Sequence, residues 1–139
     1  MTAITVVAAE VGAVFPQDAE IRSVVLAATV TAGQALYLTS SGTYNLADAN
    51  DSGAEQFRGI ALNGGAAGQA VDMLRRGEVE GFTVTSMSHD DLVYLSDTAG
   101  ALDTAAGSMT VQCGRLTCLS DADYTKVVYI DADMKREWS

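Results

Sequence analysis

Residues 33–47, GQALYLTSSGTYNLA, return in altered form as residues 90–105, DDLVYLSDTAGALDTA. With Tyr37 laid on Tyr94, Leu36 falls on Val93, Leu38 on Leu95, Thr39 on Ser96, Gly42 on Gly100 and Ala47 on Ala105. Each copy reads as a strand, a glycine turn and a second short strand, because apolar residues alternate on either side of a turn-forming run. The likeness continues further along: Gly59 in FRGIAL matches Gly114 in QCGRLT, and Val71 in AVDML matches Val127 in KVVYI. The spacing is 57 residues between the tyrosines, 55 between the glycines and 56 between the valines, a drift that small loop changes absorb. Two copies are too few to stack as a solenoid, so they are expected to bury their apolar faces against each other in one closed unit.

The segments around the cassettes read as strands too. Residues 21–30, IRSVVLAATV, are rich in β-branched side chains and predict a long strand. Residues 57–62 predict a short one, residues 63–68 (NGGAAG) a flexible connection, and residues 70–75 another strand. Arg76 and Gly77 then predict a hairpin into residues 78–84, where Val79 and Phe82 share the core only if Gly81 bulges. Met109, Val111 and Cys113 alternate, whereas Leu116 and Cys118 have the opposite parity, so Gly114 predicts a second bulge or bend. Residues 127–130 are apolar throughout, as in a strand buried on both faces. Evenly spaced short strands of this kind predict an all-β barrel or sandwich.

The N-terminal residues 2–15, TAITVVAAEVGAVF, are small and apolar apart from Glu10, and Pro16, Gln17 and Asp18 end them in a turn. Two readings stand side by side. The segment is the first strand of the domain, or it is an arm that adds to the edge of a partner's sheet through its backbone. The organisation expected is therefore an N-terminal segment over 1–20 and a single β domain over 21–139, with the duplication covering about 30–84 and 87–131.

Length and charge narrow the functions. A chain of 139 residues, 48% of them hydrophobic, is long enough for one real core. Eighteen acidic residues against 8 basic ones give a net charge of -10, which repels phosphate and makes nucleic acid and anionic membrane unexpected partners. Glu10, Asp18, Glu20 and Arg22 interrupt the longest apolar stretch well short of a bilayer span. Residues 1–9 lack the basic opening of a secretory signal, so synthesis in a cytoplasm is expected. Cys113 and Cys118 would lie on opposite faces of a continuous strand, roughly 16 Å apart, and are expected to be free thiols.

Candidate chemistry is sparse. His89, the one histidine, stands beside Asp90 and Asp91 in a turn with no third group to position it. Residues 48–59 place Asp48, Asn50, Ser52 and Gly53 as in a calcium loop, but Gly59 occupies the position of the bidentate glutamate, which predicts a solvated loop. Asp121/Asp123 and Asp131/Asp133 have DxD spacing, common in turns between strands. With no phosphate-binding glycine loop and no CxxC, no catalytic residue, cofactor or metal is expected, and the chain reads as a non-enzyme.

The pattern TAGQALYLTSSGTYNLADA, RGIALNGGAAGQAVDML, GEVEGF and DDLVYLSDTAGAL resembles the head decoration, or capsid cement, proteins of tailed phages. The likeness covers about residues 30–130 and rests on turn glycines and core positions. It implies a β-tulip type of barrel or sandwich that caps the outer face of an assembled capsid, often as a homotrimer. The major capsid protein would be its partner and the virion its location. Under that reading Ile4, Val6 and Phe15 are candidate contacts of the arm, and Trp138 is one because tryptophan is enriched at binding hot spots. A receptor- or glycan-binding module of a phage fibre or tail would carry the same β pattern.

Overall fold

The computed structural model describes residues 3–119 and 125–132. Over these the chain is all-β, a curled antiparallel sheet that forms a half-barrel. The strands are β1 (Gly12–Ala13), β2 (Glu20–Val25), β3 (Ala35–Leu38), β4 (Tyr44–Leu46), β5 (Phe57–Ala61), β6 (Ala70–Glu80), β7 (Leu92–Leu95), β8 (Leu102–Asp103), β9 (Gln112–Cys118) and β10 (Lys126–Asp131).

The eleven-residue β6 is the spine. One of its edges carries β2, from Val25 opposite Ala70 to Glu20 opposite Arg76, and then β1, with Gly12 opposite Glu80. The other edge is shared: β5 takes Met73 and Leu74, and β10 takes residues 76–79. With the first half of β6 as the counterpart of β10, the sheet forks into two wings, β6–β5–β3–β4 and β10–β9–β7–β8, with the same internal order. Each wing has the same irregularity. Leu36 opposes Gly59 while Tyr37 opposes Phe57, and Val93 opposes Gly114 while Tyr94 opposes Gln112. One residue, Arg58 or Cys113, is thus left out of each ladder as a bulge.

The matched glycines have a steric cause. A Cβ on Gly59 would sit 2.6 Å from the Leu74 carbonyl oxygen, and one on Gly114 would run into the Tyr129 carbonyl oxygen. Beside each bulge the neighbouring strand comes close enough to leave room for a hydrogen only.

Two apolar clusters form. The main core joins Ala35, Phe57, Ile60 and Leu74 of the first wing to Val93, Leu95, Leu102, Cys113, Leu116, Val128 and Ile130 of the second. The smaller cluster, Val24, Leu26, Val30, Leu36, Tyr44, Ala61, Val71 and Met73, lies on the opposite face of the first wing. Positions that match in the ladders therefore face different interiors. Leu36, Tyr44, Ala61 and Met73 line the small cluster, and their counterparts Val93, Leu102, Leu116 and Val128 line the main one. The change of face is built into β6. Leu74 and Val79 are five apart and belong to opposite sides of a regular strand, yet both enter the main core. Arg75 makes this possible, because β2 pairs Ile21 with Leu74 and Glu20 with Arg76 and skips it.

Several expectations need correction. Residues 70–80 are one strand and contain no hairpin; Gly77, at φ 136, takes its place because a Cβ there would lie 2.8 Å from that of Ala19. The strand expected over 21–30 ends at Val25, after which Leu26 bridges to Tyr44 and Val30 exchanges two hydrogen bonds with Gly65. Val127 opposes Thr117, whereas the matching Leu62 bonds to Asp72, so Val127 stands in the place of Asp72 and not of Val71. The bulge of β9 is at Cys113, next to Gly114. Tyr129 of β10 is 37% exposed, so that strand is not buried on both faces. The turn glycines behave as anticipated: Gly42 and Gly100 have φ of 92° and 80°.

Candidate functional site

The surface singled out by the sequence begins at the N-terminal segment, whose backbone the domain itself engages. Ala3 bridges Asp103 on the outer edge of β8, and the Ile4 N–H donates to the Leu102 carbonyl at 2.8 Å. Val6 bridges Phe82, the Thr83 N–H donates to the Thr5 carbonyl, and the Val7 N–H donates to the Gly81 carbonyl. A 3-10 turn at Ala8–Glu10 leads into β1, and a second at Pro16–Asp18 leads into β2. The segment thus lies along sheet edges that would otherwise be open, which is how small β domains suppress stray pairing.

Burial follows from this seating. Ile4 is 6% exposed and belongs to the main core, so in the folded chain it offers no surface to a partner. Val6 and Phe15 are half-buried, and Val7, which points the other way, is 41% exposed. Trp138 lies outside the described residues. Gly33 explains why the segment fits so closely: its φ is +91, and any Cβ there would strike the Val6 side chain. A shallow cleft of about 280 Å³ remains beside the segment, lined by Ile4, Val6, Ala8, Gly33, Gly100 and Ala101. Thr31, Gln34 and Thr98 add polar groups to walls that are otherwise small and apolar.

The polar candidates are accounted for by turns. Asp48 accepts the Asn50 N–H at 2.9 Å and Glu55 accepts the Gly53 N–H at 2.6 Å, so these carboxylates hold the loop of residues 48–55 together. Asp97 accepts both the N–H and the hydroxyl of Ser108, at 2.7 and 2.9 Å. Asp91 accepts the Ser88 N–H. Asp90 has φ +69, pairs with Arg115 at 3.3 Å and also receives its guanidinium on the backbone carbonyl. His89 borders an open depression with Asp90, Leu116, Thr117 and Cys118. Among the described residues no three His, Cys, Asp or Glu side chains converge as a metal-ligand set. Asp121, Asp123 and Asp133 lie outside the described residues.

Both cysteines are free thiols. Cys113 is fully buried at its bulge, and desolvation raises its thiol pKa well above the ordinary 9.0, which makes it a poor nucleophile.

The exposure of β2 was not anticipated from the sequence. Of its six residues only Val24 is buried, and Ile21 and Val25 are 38% and 44% exposed. The alternation in EIRSVV carries that signal, but the expected continuation to residue 30 obscured it. No protein-family model, curated protein or solved structure matches the chain.

Proposed function

We propose that the protein is a capsid decoration protein of a tailed phage, binding the outside of the assembled head and bridging its subunits. The observation that carries the reading is the cassette itself. The residues that resemble the decoration family are the ones that build both wings of a compact half-barrel. A staple needs stiffness and contact area more than reactive groups. Each copy that touches several capsid subunits adds binding free energy to the assembled lattice over separated subunits, which stabilises it by mass action. The major capsid protein as partner and a homotrimeric form belong to the same proposal.

The N-terminal segment supports a particular version of this reading. With Ile4 in the core, an arm that joins a capsid strand would first have to leave β8 and β6. Contact through the seated segment would instead use Val7 and the cleft beside it. Mass spectrometry of gradient-banded virions tests the function: hundreds of copies per head support decoration, a handful per particle points to a fibre or tail module, and absence sinks both.

A further inference from the structure

We propose that Asn63 is a self-modifying site: the Gly64 amide nitrogen closes on the Asn63 side chain, ammonia leaves, and the aspartate or isoaspartate formed loosens residues 62–65 from β6 and Val30. The stretch NGGAAG connects β5 to β6. β5 ends at Ala61 opposite Met73, and the Leu62 N–H donates to the Asp72 carbonyl at 2.8 Å. A regular ladder would return the Asp72 N–H to the Leu62 carbonyl. Here it goes to Asn63 Oδ1 at 2.8 Å, so a side-chain amide stands in for a backbone carbonyl and the main chain leaves the sheet. Gly64 follows because the chain next runs against Val30. A Cβ on Gly64 would lie 3.1 Å from the Val30 carbonyl oxygen, and Gly65 and Val30 exchange two hydrogen bonds. The fold thus places an asparagine and a glycine in succession, both of them exposed.

That succession carries its own chemistry. The Gly64 nitrogen bonds to Asn63 Cγ as its proton passes to water or hydroxide, the Cγ–Nδ2 bond breaks, and ammonia departs to leave a cyclic imide. Water then opens the imide. Opening at Cγ gives aspartate, whereas opening at the main-chain carbonyl gives isoaspartate, whose backbone runs through the side chain and is longer by a methylene. Three features single out Asn63 from Asn45 and Asn50. Among the described residues the Gly64 N–H has no acceptor, whereas the Leu46 N–H is held by Asn45 Oδ1 and the Asp51 N–H by the Asp48 carbonyl. Glycine also leaves the approach unhindered, where Asn45 and Asn50 are followed by Leu46 and Asp51. Finally, the Asp72 N–H already bonds to the oxygen that turns negative as the Gly64 nitrogen adds, as a donor in an oxyanion hole does. In the product, isoaspartate lengthens the chain between Leu62 and Gly64, so the Leu62–Asp72 bond and the Val30–Gly65 pair no longer fit together. Val30, 2% exposed, belongs to the small cluster, which loosens with it.

The experiment uses the purified full-length chain without capsids, so its outcome does not depend on the decoration reading. The folded protein is held in mildly alkaline buffer beside a synthetic peptide of residues 60–67, and peptide mass mapping follows the replacement of amide by acid at each asparagine. Position 63 is expected to convert at least as fast in the folded chain as in the peptide, with Asn45 and Asn50 intact over the same time. The rate should rise with pH, because the attacking nitrogen must shed its proton. Enzymatic methylation of isoaspartate identifies the longer-chain product, which ion exchange separates from fresh protein by its added charge. In that fraction the Val30 and Gly65 amides are expected to exchange hydrogen at least about tenfold faster than in fresh protein. A folded-state rate below the peptide's, equal conversion at Asn45 or Asn50, or unchanged protection of Val30 and Gly65 in the isoaspartate form overturns the proposal.

Discussion

The two wings share an order of strands, a bulge and a glycine, yet they spend their apolar faces differently. In the first wing both faces are covered: Ala35, Phe57, Ile60 and Leu74 meet the main core, and Leu36, Tyr44, Ala61 and Met73 meet the small cluster under Val24, Leu26 and Val30. In the second wing one face fills the main core, and the other presents Leu92, Tyr94, Gln112, Arg115 and Tyr129 with partial or full exposure. The difference arises outside the wings. β2 and the residues after it supply a second layer to the first wing, and the described residues supply none to the second. A repeated sequence thus fixes ladders and turns, while its neighbours decide which face is interior.

Matched substitutions can break this comparison. Gly114→Ala and Gly59→Ala should both be severe, about 4 kcal/mol and somewhat less, because each Cβ collides with a carbonyl of the next strand; urea unfolding measures the pair. A mild effect in either wing would mean that the close approach beside the bulge is not shared. Leu95→Ala should cost about 3 kcal/mol and Leu38→Ala under about 1, since Leu95 is fully buried and its match Leu38 is 44% exposed. Equal losses would refute the assignment of faces.

The bulge residues sharpen the contrast through pH. Arg58 lies half-buried and bonds to the Phe57 carbonyl, whereas Cys113 is enclosed with a raised thiol pKa. The unfolded chain therefore releases the Cys113 proton first. The stability from the buried neutral thiol is fully present below the ordinary 9.0 and is lost as pH rises above it, by up to about 1.4 kcal/mol per pH unit. Chemical denaturation between pH 8 and 10 should show this slope, and Cys113→Val should flatten it. The smallest effect is expected at the cassette entrances, where Gly33 and Asp90 correspond and both have positive φ. Asp90→Gly relieves that backbone at the loss of an exposed ion pair, for a net gain of up to about 1 kcal/mol, readable as a rise in Tm.

Much of the fold was legible because turns and close approaches are written in single residues. Gly42, Gly100, Gly59 and Gly114 lie where their spacing placed them. The faces were not legible, since Ala35, Leu36, Tyr37 and Leu38 are apolar on both sides and alternation cannot say which side has a cover. Arg76 and Gly77 misled for a related reason: they have the composition of a turn, yet the glycine is there to admit Ala19. Of the candidate contacts, Ile4 was legible as apolar and extended but not as core, because its partner Leu102 is distant in the sequence.

That distance bears on how the molecule is made. Ile4 and its hydrogen-bond acceptor Leu102 leave a ribosome roughly a hundred residues apart, so the first apolar segment synthesised must wait several seconds for its place in the sheet. During the wait β5, β3 and β4 can pair beside β6, whereas β9 and β10 are made only after Leu102. The segment that is born first is seated only once β8, near the far end of the chain, has been made.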